Sequence, residues 1–161
     1  GKTAIADPNR VAAYLVTTAD ASAIATAQYL WGSAQQVGLT IGGVLLTQAT
    51  INDVNPTEFD PLGLYAIPTY THSNWQPLMD ALPDYTQIGN APKPIDIDIA
   101  GRKVSLFLPG FDKKQVKLTQ YGPEVTIEAG DQRRNIMLPP ALSGRQVTGA
   151  KFQDSYLTIA F

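Results

Sequence analysis

The chain opens Gly1-Lys2-Thr3, the last three residues of a phosphate-cradling loop of the form G-x-x-x-x-G-K-[ST]. In such a loop backbone N–H groups hold the phosphates, and it works only between a strand and the first turn of a helix. No strand stands ahead of Gly1 in this sequence, and Pro8 falls where the helix would have to continue, at a cost of about 3 kcal/mol. The three residues are therefore expected to be a leading segment, and the chain alone is not expected to hydrolyse ATP. Asp96 and Asp98 stand two apart in an alternating stretch and so share one face, as a cation site or an acid–base pair would require. Carboxylates on an exposed edge strand more commonly block edge-to-edge pairing, and that is the expectation here. His72, within TYTHSNW, is the one histidine, and there is no cysteine. That composition excludes disulfides and thiolate nucleophiles, and it leaves little from which to build a histidine metal site or a Ser-His-Asp triad.

The 161 residues, 44% of them apolar and carrying a net charge of -2, describe a soluble globular protein with no gross attraction to nucleic acid. No apolar run reaches the roughly 18 residues of a spanning helix, and no leader pattern is present, so an intracellular location is expected. Charge divides the chain unevenly. Residues 1–91 set Lys2 and Arg10 against Asp7, Asp20, Asp53, Glu58, Asp60, Asp80 and Asp84, whereas basic residues outnumber acidic ones in residues 92–161. The change falls at NAPKP, whose prolines favour an extended link, and predicts two domains, 1–91 and 92–161.

The first domain alternates strand and helix. AAYLVTT (12–18) has the length of a buried strand, and Asp20 or Ser22 is placed to cap the helix after it. Ile24, Ala27, Leu30, Trp31, Ala34 and Val37 then recur at helical spacing, and Gly38 is suited to end the helix with positive φ. TIGGVLLTQ (40–48) and LYAIP (64–68) follow as strands, with a short helix near 74–82. Strand, helix, strand with short links predicts a parallel βαβ unit. Trp31 and Trp75 fall on helical faces and are expected in the core. The second domain has period two: Ile95/Ile97/Ile99, Val104/Leu106/Leu108 and Val125/Ile127, with QVKLTQ, RNIMLP and SYLTIAF. About six strands separated by AGRK, PGFDKK, YGPE and AGDQ predict an antiparallel sandwich. Lys113, Lys114, Lys117, Arg133, Arg134 and Arg145 alternate with acids and lack stacked aromatics. They are expected to form a solvated face or a dock for the acidic first domain.

Two resemblances attach to these residues. From Leu106 to Phe161 the chain resembles the α-crystallin (HSP20-like) domain of small heat-shock proteins: the Leu108-Pro109-Gly110 turn, the V-K-L strand, the glycine before V-T-I, the arginines before I-x-L-P and the A-x-F ahead of L-T-I all match. The strand after Gly130 follows within a few residues, no I-x-I tail follows Phe161, and Ser155, Tyr156 and Leu157 stand where the family writes Gly-Val-Leu. A built-in docking module is therefore expected rather than a large holdase oligomer. Residues from about Asp7 to Pro83 resemble the C-terminal part of the ATPase domain of the arsenical pump-driving (ArsA) and tail-anchored-protein-targeting ATPases. The shared features are the long helix after T-T-A-D, the strand GGVLLTQ and the I-P-T segment. This implies a fragment of an α/β parallel-sheet P-loop NTPase joined to an all-β sandwich.

By the second resemblance Thr47 stands where the family reads the adenine edge with asparagine, and Pro68, Thr69 and Tyr70 pack against the base. The threonine keeps a donor and an acceptor but loses the two-point amide. The cofactor implied is ATP with magnesium, both held mainly by an N-terminal portion of the same ATPase, together with hydrophobic protein clients, a homodimer in the complete protein and a cytoplasmic or stromal location. The cysteine-held zinc bridge of some relatives has no ligands here. The alternative left open is a small chaperone module that works without nucleotide.

Overall fold

The computed structural model describes residues 2–70, 72–88 and 91–161. Gly1, Thr71, Gly89 and Asn90 and the side chains of Lys2 and Thr3 lie outside the described residues, so the phosphate-loop reading of the opening and the first residue of NAPKP fall there. The chain divides into two compact units, Gly1–Trp31 with Leu39–Pro92, and Gly32–Gly38 with Lys93–Phe161.

The first unit begins with α1 (Lys2–Ile5), which ends ahead of Pro8. It then builds β1 (Ala13–Thr17), α2 (Ala21–Gln36, which runs on into the second unit), β2 (Ile41–Thr47), β3 (Leu64–Ile67) and α3 (Gln76–Ala81). The strands form a parallel sheet in the order β1-β2-β3. Register opposes Leu15 to Val44 and Val44 to Leu64, so these three share a face, and Val16, Leu45 and Tyr65 share the other. The first face is the core, with Leu15, Val44 and Leu46 all buried. Trp31 of α2 lies with its ring centroid 6.4 Å from that of Phe59, in the β2–β3 connection, and Gln28 of α2 donates to the Glu58 carbonyl at 3.0 Å. Both connections therefore pack together. A Cβ on Gly43 would stand 3.0 Å from the Tyr65 ring and 3.1 Å from the Tyr14 ring, so a larger residue there would press on both rings.

Asp20 is the residue that caps α2. Its Oδ1 accepts from Ser22 N–H at 2.8 Å and Ala23 N–H at 3.3 Å, and Gly38 follows the helix with φ of 82°. The expected apolar stripe needs correction. Ala27 and Trp31 are buried, but Leu30 and Val37 are exposed, and Gln35 and Gln36 are buried in their place. At about 100° per residue, Leu30 sits a quarter-turn round from Trp31, so a spacing of three or four does not by itself keep every member on one face. Trp75 is also not core: it is 58% exposed at the cap of α3.

The second unit adds β4 (Ile95–Asp98), β5 (Lys103–Phe107), β6 (Val116–Tyr121), β7 (Glu124–Ala129), β8 (Gln132–Met137), α4 (Pro140–Ser143), β9 (Gly149–Gln153) and β10 (Tyr156–Ala160). They make two antiparallel sheets, β4-β5-β10-β9 and β6-β7-β8. Inward positions Val104 and Leu106, Val125 and Ile127, and Leu157 and Ile159 form one core with Leu108, Phe111, Leu138 and Leu142. The turns carry positive φ at Arg102, Gly110, Gly122 and Gly130, within AGRK, PGFDKK, YGPE and AGDQ. Seven strands replace the six expected. β9 escaped notice because Gly149 and Ala150 leave its alternation without apolar bulk.

Candidate functional site

In a parallel sheet, loops that follow the carboxyl ends of the strands gather at one edge, where ligands of open α/β sheets bind. Here that edge collects Thr17 at the end of β1 and Asp20 after it, Thr47 at the end of β2, and Pro68, Thr69 and Tyr70 after β3. Register sets Thr47 opposite Ile67, one residue before Pro68, and Thr69 and Tyr70 follow in the same loop. Thr47 is partly buried, and its hydroxyl donates to the Thr17 carbonyl at 3.3 Å, which leaves its lone pairs as acceptors. Gln48, the next residue, has φ of 57° and turns the chain away.

The loop after β3 is aromatic. The Tyr70 ring lies 4.0 Å from that of Trp75 at 32°, and the His72 ring meets Tyr70 edge-on at 5.5 Å. All three are exposed. Trp75, assigned to the core from its spacing, is thus a surface residue of this cluster. Its position next to TYTHSN, rather than its helical periodicity, was the signal for that.

The electrostatics of the edge suit a base better than phosphates. Asp20 occupies the first amides of α2, and its carboxyl is held below the usual carboxylate range by the Ser22 hydroxyl first and then by the Ser22 and Ala23 amides. An anion at that helix terminus would meet a carboxylate in place of free N–H groups. Among the described residues no group of three or more His, Asp or Glu could hold a metal ion. With Asp20 on the first amides of α2, this helix start offers a phosphate no free N–H groups.

The second unit offers surface instead of a pocket. Asp96 and Asp98 stand exposed on β4, an edge strand, and Asp98 accepts from Gly101 N–H at 2.8 Å within its own turn. An open concavity of about 690 Å³ lies along β9 and β10, floored by Lys103, Gly149, Lys151, Tyr156 and Thr158. Tyr121 and Met137 are 68% and 65% exposed at one end of the β6-β7-β8 sheet. Arg134 departs from the solvated row expected of it. It is partly buried, its guanidinium donates to the Gln35 carbonyl at 3.0 Å within the same unit, and burial lowers its pKa.

Residues 99–161 match the family model of an HSP20-like domain found in ArsA. The antiparallel sandwich is thus an HSP20-like domain of the ArsA-associated kind, preceded in the same chain by a parallel α/β sheet. No curated protein matches the chain. Among the described residues no helix is long and apolar enough to cross a membrane.

Proposed function

We propose that this chain is the C-terminal portion of an ArsA-type ATPase, in which the parallel sheet supplies the wall against the nucleotide base and the HSP20-like sandwich engages protein partners. The observation that supports the proposal is a parallel sheet, with Thr47 at the end of β2 paired to Ile67 just before Pro68, preceding an ArsA-associated domain in the same chain. Thr47 would accept from an exocyclic amine of the base while its own proton stays on Thr17, and Tyr70 would lie against the ring. The phosphate loop, magnesium and the residues that position water would come from an N-terminal portion of the same protein. ATP with magnesium would supply a phosphoryl group for transfer to water, and the clients would be hydrophobic proteins in the cytoplasm or stroma. A homodimer of the complete protein is part of the same proposal.

Nucleotide titration of the complete protein tests it. Thr47→Ala should weaken ATP binding several-fold, and unchanged affinity would remove Thr47 from the base site. A second reading rests on the sandwich having its own core while leaving Tyr121 and Met137 exposed: it would serve as a chaperone module without nucleotide. Suppression of client aggregation by the chain alone, with no ATP present, would favour that reading.

A further inference from the structure

Gly32–Gly38, the last turns of α2, belong to the same compact unit as the sandwich, although the family match begins only at residue 99. Their seat is narrow. A Cβ on Gly32 would stand 2.5 Å from Cε2 of Phe111 and 2.5 Å from the Pro109 carbonyl oxygen, and that backbone oxygen has no rotamer by which to move aside. A Cβ on Gly130 would stand 2.8 Å from Cε1 of the same ring, so the buried Phe111 side chain is fitted between two glycines. Register sets Arg134 opposite Ile127 and two residues from Ile136, so it leaves β8 on the face that carries the core. There its guanidinium donates to the Gln35 carbonyl at 3.0 Å, which also accepts from the Gly38 N–H at 3.0 Å. Carbonyls of a helix's last turn lack partners within the helix, and the dipole favours a cation beside them. Among the described residues no carboxylate pairs with Arg134, so the helix end is its partner. Pro109, Phe111, Gly130 and Arg134 thus form a cleft shaped for the C-terminal turn of a helix.

The turn that occupies the cleft fills it imperfectly. Gln35 and Gln36 are 0% and 3% exposed, yet neither side-chain amide has a hydrogen-bond partner, and the Ser33 hydroxyl has none either. An amide that leaves water without gaining a partner weakens the contact that buries it. Aliphatic side chains at these two positions would be buried without that penalty. The rest of the occupant's chemistry is plain: the 16 residues of α2 include no charged side chain. We propose that this cleft is a helix-end receptor, from which the last turn of α2 is displaced by the C-terminal turn of an uncharged, apolar helix of a protein partner. That helix would carry glycine where it crosses Phe111 and aliphatic residues in place of the two glutamines. The inference rests on the reading of the sandwich as the part that engages protein partners, and adds the place of contact and the kind of segment engaged.

The probe is a fluorescein-labelled peptide that copies residues 21–38 with Gln35→Leu and Gln36→Leu, carries a lysine tag ahead of residue 21 for solubility, and is long enough to form a helix on binding. In the complete chain Gly32→Ala favours the helix but collides with Pro109 and Phe111, so it frees the cleft. By fluorescence anisotropy the peptide should bind this variant at least about tenfold tighter than wild type, and Arg134→Ala added to it should remove most of that gain. A peptide with Gly32→Leu as well is more apolar, yet should bind about tenfold more weakly because it cannot pass Phe111. Equal binding to wild type and Gly32→Ala, or equal binding of the two peptides, overturns the proposal. Hydrogen exchange supplies a reading that does not depend on how well Gly32→Ala folds. Gln35→Leu with Gln36→Leu in the chain should slow exchange at the Val37 and Gly38 amides about tenfold, and unchanged or faster exchange overturns the proposal. Suppression of client aggregation that Gly32→Ala and Arg134→Ala both leave unchanged would overturn the cleft while leaving the partner-binding reading in place. No outcome depends on ATP.

Discussion

Val147 donates its backbone N–H to Gln120 Oε1 at 2.8 Å, and the same amide donates through Nε2 to the Arg145 carbonyl at 2.7 Å. One side chain on β6 therefore holds the segment that leads into β9, and it does so with the donor–acceptor pair a neighbouring strand would present. Val147 packs on the sandwich core beside it. Gln120→Ala should cost about 1–3 kcal/mol, because it strands a partly buried N–H and a carbonyl. Gln120→Glu keeps the acceptor and loses the donor, so it should cost less and leave the Val147 amide protected. Hydrogen exchange at Val147 in the two variants separates these outcomes.

Gly122 and Gly130 both have φ of 56°, but their surroundings differ. A Cβ on Gly122 would meet nothing within 4 Å, whereas one on Gly130 would sit 2.8 Å from Cε1 of the buried Phe111. Gly122→Ala should therefore cost about 1 kcal/mol, the conformational penalty alone. Gly130→Ala adds overpacking and should cost roughly 2–4 kcal/mol. Chemical denaturation followed by far-ultraviolet circular dichroism measures the difference, and equal losses would mean that Phe111 moves aside without cost.

The Tyr14 phenol is pushed above its ordinary 10.0 by burial first, then by Tyr65, Tyr85 and Asp84. A group whose folded pKa is raised stabilises below its unfolded value and loses that contribution as pH climbs through the folded one. The parallel-sheet unit should thus weaken above about pH 10, and Tyr14→Phe should lessen the loss. Both tryptophans, Trp31 and Trp75, lie in that unit, so urea titrations followed by tryptophan fluorescence at about pH 8 and about pH 11 report on it. Identical alkaline losses in wild type and variant would show that Tyr14 titrates as if exposed.

Much of this architecture is legible in the sequence because local patterns and tertiary burial agree. Asp20, Gly38 and the turn glycines mark ends, and the alternation at Val104–Leu108 and Val125–Ile127 survives into the core of the sandwich. Where legibility fails, a tertiary fact overrides the local one. Leu30 and Trp31 are both apolar, yet Trp31, packed beside Phe59, is buried and Leu30 is exposed. Trp75 is as hydrophobic as Trp31, yet it ends beside Tyr70 on the surface. The exposure of Val16 on β1 is invisible to periodicity, since AAYLVTT has the length of a buried strand. At the edge, the pairing of Thr47 with Ile67 follows from parallel register, which the βαβ pattern implied, but the bond from Thr47 to Thr17 depends on side-chain geometry that no pattern encodes.

We propose that the carboxyl edge of the parallel sheet forms the base wall of a nucleotide site. Photolabelling the complete protein with 8-azido-ATP, followed by peptide mapping, tests it most directly, because the probe reacts where the base rests. The account predicts label on the peptides that contain Thr47 and Pro68–Trp75, competed by ATP and reduced by Thr47→Ala. Competed label confined to other parts of the protein would contradict it.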